Sequence, residues 1–153
     1  MKNLRKIATL LLALSIMLCA FSLTACNTGD VDQSTSGSVT LVVKGAEEKS
    51  YTVSLDGLSL DKGLVSVLDA LKAEGKLDYG ITDTFLDYVG DVKNDYEKGE
   101  YVYIYTSVTA DQDVSEYKET VTYQGTELVS AGVGAIEMTV EDGAIFYVST
   151  VKW

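Results

Sequence analysis

Tyr101, Tyr103 and Tyr105 alternate with Val102 and Ile104, so three phenols share one face of an extended segment whose other face is aliphatic. Phenol rings are apolar bodies with a polar tip, which suits a platform for a planar or ring-bearing ligand. Thr106 and Ser107 would add neutral hydroxyls at the end of that platform. The same pattern also fits the half-exposed face of an antiparallel sheet, where tyrosines pair across strands. A second group of candidate ligand-binding residues is Ser130, Gly132, Val133 and Gly134. They belong to Ser130-Ala131-Gly132-Val133-Gly134-Ala135, a small-residue loop. Its glycines would either let backbone approach a ligand or supply positive φ for the connection itself. It lacks the Gly-Lys ending of a phosphate loop.

Two oxygen-rich groups, Asp91, Asn94, Asp95 and Glu97, then Asp111, Asp113 and Glu116, have donors suited to calcium. Neither carries the EF-hand spacing with its central glycine, and both read as solvated acidic loops. No metal or other cofactor is expected. The chain has no histidine, the commonest general base and metal ligand, and no spacing marks a pair of glycosidase carboxylates. The expectation is a binding protein rather than an enzyme. With 23 acidic against 12 basic residues, net charge is −11, which disfavours nucleic acid and anionic membrane surfaces as partners.

The first residues carry a different signal. Lys2, Arg5 and Lys6 precede a mostly apolar run, Ile7 to Phe21, too short to span comfortably as a membrane helix. Leu23-Thr24-Ala25-Cys26 follows and resembles the lipobox at which bacterial lipoproteins are cleaved and thioether-linked to diacylglycerol. The resemblance implies a signal peptide over 1–25, a diacylglyceryl Cys26 and extracytoplasmic display on the cell membrane. Each buried methylene contributes about 0.8 kcal/mol, so two acyl chains hold where one is marginal. Cys19 leaves with the signal and Cys26 carries lipid, so no thiol remains for a disulfide or a thiolate metal site. Residues 27–37, NTGDVDQSTSG, are too polar to order themselves and read as a flexible tether, leaving 38–153 as one domain.

Ser38 to Val43 bears apolar or β-branched groups on both faces and reads as an interior strand. Tyr51 to Leu55 alternates strictly, as a hairpin partner with one wet face would. The period then changes: Leu64, Val67, Leu68 and Leu71 make one helical stripe, with Asp61 placed to cap it and Gly75 to end it. Thr84 to Val92 and Tyr101 to Val108 are expected to pair across an acidic loop. Thr120 to Tyr123 and Glu127 to Val129 flank a Gln124-Gly125-Thr126 turn, and Glu141-Asp142-Gly143 leads into a last apolar strand, Ala144 to Lys152. Periodicity alone gives an α+β fold of strands and one helix.

The segment Leu128 to Trp153, LVSAGVGAIEMTVEDGAIFYVSTVKW, is similar to the end of the carboxy-terminal domain of transcobalamin and intrinsic factor. With the helix DKGLVSVLDALK at 61–72, the chain resembles bacterial lipoproteins carrying a transcobalamin-like domain. This resemblance implies a β-grasp fold of the soluble-ligand-binding kind, its first and last strands parallel at the middle of the sheet. It also implies a non-catalytic role, with cobalamin or a related corrinoid as the leading ligand, closed over by the loop from Thr126 to Ala135, which adds Thr126 and Leu128 to the candidate ligand-binding residues. In the cobalamin carriers a separate helical domain covers the ligand's other face. The missing half motivates an alternative, a module that docks onto another envelope protein.

Overall fold

The computed structural model of the protein describes residues 36–152. The signal segment, Cys26, most of the tether and Trp153 lie outside the described residues.

Strands β1 (Ser38–Lys44) and β2 (Glu48–Ser54) form an antiparallel hairpin. Helix α1 (Leu64–Ala73) follows, then β3 (Tyr79–Thr82), β4 (Phe85–Val89) and β5 (Val92–Lys93). Next come β6 (Glu100–Thr106), β7 (Thr120–Tyr123), β8 (Thr126–Ser130) and β9 (Ile145–Lys152). Six strands form one mixed sheet in the order β2-β1-β9-β6-β8-β7, and β3-β4-β5 form a second, antiparallel sheet. The fold is α+β, with one helix packed across the large sheet, as a β-grasp requires.

The first and last strands lie parallel at the middle, Thr40 opposite Ile145 and Val43 opposite Val148. Both need apolar groups on two faces because both faces are covered. Val39, Leu41, Val43, Phe146 and Val148 meet Leu64, Val67, Leu68 and Leu71 of α1 in the main core. Each such side chain contributes about 1.5–3 kcal/mol by leaving water. Val42 and Tyr147 point the other way, into a smaller cluster with Tyr105, Tyr123 and Leu128.

Two expectations about the helix divide. Gly75 ends it as anticipated: with φ +69 it donates to the Lys72 carbonyl, and the Lys76 N–H reaches Leu71. Asp61 does not cap it; that carboxylate accepts the Ser59 hydroxyl instead. The cap is Gly63, at φ +53, and a Cβ there would lie 2.6 Å from the Met138 carbonyl. The 135–138 backbone takes the place of a capping side chain, since the Ala135 carbonyl accepts the Leu64 N–H.

The expected hairpin between Thr84–Val92 and Tyr101–Val108 does not form. β4 pairs with β3 and β5, while β6 pairs with β9 along its length and with β8 only at Tyr105 and Thr106. The Asp83 turn, with φ +56, folds β4 back on Tyr79–Thr82, a strand not anticipated from its short, mixed sequence. The Gln124-Gly125 turn does form, with φ +48 and +85, and sets Tyr123 opposite Thr126.

Candidate functional site

Because β8 meets β6 only at its end, no strand among the described residues lies along the other edge of β6 from Tyr101 to Ile104, and a groove opens there. The larger part, about 800 Å³, is lined by Thr82, Phe85, Asp87, Asn94, Tyr96 and Tyr101, with Val102 and Tyr103 as its wall. A smaller hollow of about 110 Å³ continues past Phe85 to Val133 and Gly134. Phe85 is 73% exposed and Tyr96 68%, values unusual for aromatic rings that line a concave surface.

Asn94 sets the groove's floor. Its Oδ1 accepts the Val102 N–H at 2.7 Å, and its Nδ2 donates to the Leu86 carbonyl at 3.4 Å and the Tyr96 hydroxyl at 3.2 Å. Tyr96 meets Tyr101 edge to face, with centroids 5.8 Å apart. The loop beneath is fixed by Lys98 on Asp95 at 2.6 Å, and the Asp95 carboxyl is held below the usual range by that hydrogen bond. Thr82 donates to Asp87 at 2.7 Å on the rim. Asp87 and Asp83 give that rim a negative lining.

The structure separates the candidate residues. Tyr101 and Tyr103 line the larger space, and Tyr103, Val133 and Gly134 the smaller. Tyr105, 5% exposed, lies in the tyrosine cluster on the sheet, edge to face with Tyr103 at 5.6 Å and Tyr147 at 6.2 Å. Burial raises its pKa above the ordinary tyrosine value. Tyr147 is pushed up to about 12, first by burial and then by its hydrogen bond to Glu48 at 3.1 Å.

Thr106 is fully buried and its hydroxyl accepts the Val108 N–H, while Ser107 accepts the Ile145 N–H. Leu128 is fully buried beneath Tyr105 and Tyr147, and Ser130 is buried and accepts the Glu119 N–H. Thr126 is exposed at the β7–β8 turn, and Gly132 packs against the Asp113 backbone. Neither Gly132 nor Gly134 has positive φ. Gly134 is small because a Cβ would lie 2.7 Å from that of Thr84, where the Ala135 N–H donates to the Thr84 carbonyl.

Phe85 and Tyr96 entered no sequence-based site, and Asn94 entered only an oxygen-rich group with donors suited to calcium. Phe85 lay within a run read as a hairpin partner, and Asn94 within one read as an acidic loop. Those acidic residues have partners of their own. Asp91 accepts the Ala46 N–H, Asp113 binds Ser115, and buried Asp111 accepts the N–H and hydroxyl of Thr139 at 2.6 and 3.0 Å. Among the described residues no three acidic groups converge on a metal-sized space.

No protein-family model matches the chain, and no curated protein matches it. Among solved structures, haptocorrin in complex with Cbi overlaps 82% of this chain at 14% identity with a TM-score of 0.54. The chain matches 27% of haptocorrin's own length. A Ruminococcus gnavus protein provisionally described as metal binding overlaps 76% of this chain and 98% of its own, at 17% identity and a TM-score of 0.47. The haptocorrin likeness is one of fold.

Proposed function

We propose that this protein is a lipid-anchored, extracytoplasmic binding module that holds a soluble ligand without transforming it, and that the groove beside β6 is its site. The observation that carries the reading is the open groove of about 800 Å³ with exposed Phe85, Tyr96 and Tyr101 on its walls. A pocket of mixed aromatic and polar lining is the usual form of a small-molecule site. The fold shared with haptocorrin makes a corrinoid the leading ligand. The absence of histidine from the chain, with both cysteines at or before position 26, supports a non-catalytic role. The charged start, apolar run and Leu-Thr-Ala-Cys segment support the anchor at Cys26.

Titration of the protein with dicyanocobinamide, followed by absorbance and calorimetry, tests the ligand. Saturable binding is expected; no spectral or thermal change at high micromolar ligand contradicts a corrinoid. Fractionation tests the anchor. Cys26→Ala should lose the acyl mass and stable membrane residence, and a cleaved mutant that still partitions with membrane contradicts it.

A second reading, docking onto another envelope protein, is favoured by Val114 and Tyr117, which are 94% and 71% exposed on one loop. Crosslinking in native envelopes should then capture a stoichiometric partner; recovery of the monomer alone counts against it.

A further inference from the structure

The open edge of β6 is closed at both ends. In the β6–β9 ladder Tyr101, Tyr103 and Tyr105 direct their backbone groups toward β9, so those of Val102 and Ile104 point outward. The outward Val102 N–H is taken by Asn94 Oδ1 at 2.7 Å, and the outward Ile104 carbonyl by the Ala131 N–H at 2.8 Å. Between these two plugs remain the Val102 carbonyl and the Ile104 N–H, one acceptor and one donor, neither meeting a partner among the described residues. Val102 lines both parts of the groove and Ile104 the smaller.

A gap of one donor and one acceptor is too short to add a strand. A strand would have to displace Asn94, which also holds Leu86 and Tyr96, and Ala131, which continues β8. From this edge we infer that the groove recognises a single amide unit: a ligand segment offering one N–H to the Val102 carbonyl and one carbonyl to the Ile104 N–H, joined to an apolar ring system. An amino-acyl residue and a primary carboxamide both present that pair. The ring system lies against Phe85, Tyr96 and Tyr101, and Asp83 and Asp87 on the rim turn the site against anionic ligands. An ester of the same shape lacks the donor and leaves the Val102 carbonyl unpaired, the loss that makes polar recognition selective. The inference rests on the groove being the ligand site.

Nuclear magnetic resonance of the full chain in detergent, with the Ile104 amide assigned, tests it at millimolar probe. Benzamide and N-acetylphenylalanine methylamide present the pair as a carboxamide and as an amino-acyl residue; methyl benzoate is the ester control. The Ile104 N–H resonance should move downfield and saturate with one or both amides, the stronger response identifying the source, and should move far less with the ester, which keeps a carbonyl for Ile104 but has no N–H for Val102. An equal response to methyl benzoate, or none to either amide, overturns the inference. Dicyanocobinamide in the same experiment separates the two claims. If it binds the unaltered chain without moving Ile104, yet binds a Phe85→Ala/Tyr96→Ala double variant more weakly, the amide gap is wrong and the ligand site stands. If it fails to bind while benzamide moves Ile104, the corrinoid reading is wrong and the amide gap stands.

Discussion

Two sets of aromatic rings sit a few residues apart and do opposite things. On the sheet face away from α1, Tyr105, Tyr123 and Tyr147 pack on Val42 and Leu128 and are nearly withdrawn from water. Beside the open edge of β6, Phe85, Tyr96 and Tyr101 stand exposed around a groove. Tyr101 and Tyr105 even share one strand and one face. The difference is what lies alongside. β8 covers the strand at Tyr105, whereas among the described residues no strand of the large sheet flanks Tyr101 on that side. Aromatic residues become core where a neighbouring strand closes over them and a binding wall where it stops short.

The largest effect that could break this comparison is on stability. Tyr105→Ala should lower unfolding free energy by about 3 kcal/mol, as other buried aromatic truncations do, whereas Tyr96→Ala should stay within about 0.5 kcal/mol. Chemical denaturation measures both, and equal losses would mean that the two sets are one core. Next in size is Asp111→Ala, which strands the Thr139 N–H and hydroxyl and should cost about 1–3 kcal/mol in the same assay.

Tyr147→Phe keeps the ring and loses the bond to Glu48, at about 0.5–1.5 kcal/mol. It also tests alkaline behaviour. Tyr147 is raised to about 12, and so is Tyr79, by burial and by its 2.6 Å bond to Asp69. A folded pKa above the unfolded value near 10 gives stability that is complete below pH 10 and lost as pH climbs toward 12. Denaturation followed across that window should therefore show falling stability, with a shallower fall in Tyr147→Phe. The smallest effect is local. The Ile104 amide should exchange with solvent faster than that of Tyr105, which faces β9; equal protection would place a hidden partner on the open edge.

How far the sequence could be read follows from the range of the interactions involved. Val39, Leu41 and Val43, Phe146 and Val148, and the stripe from Leu64 to Leu71 declare their faces by spacing alone, so two buried strands and a helix were legible from them, while their parallel pairing at the middle of the sheet was implied by the resemblance. The Gln124-Gly125 turn was legible from Gly125, which takes positive φ without steric cost, although Gln124 takes it too. What set the groove was not local. Whether Tyr101 faces a cavity depends on where β8 ends, and whether Phe85 reaches it depends on β4 turning back to β3 rather than pairing with β6. Thr106, Leu128 and Ser130 have the residue types of a ligand contact, and only their pairing puts them inside. Asn94 looked like one more polar loop residue, and its contacts with Leu86, Tyr96 and Val102 exist only once three elements meet.

The claim that the groove beside β6 is the ligand site is tested most directly by one titration of three proteins with dicyanocobinamide, read by absorbance. The unaltered chain should show a saturable change, the Phe85→Ala/Tyr96→Ala double variant should bind about tenfold more weakly or worse, a loss of about 1.4 kcal/mol, and Tyr147→Phe on the closed face should match the unaltered chain. No change in any of them, or equal weakening by Tyr147→Phe, contradicts the account.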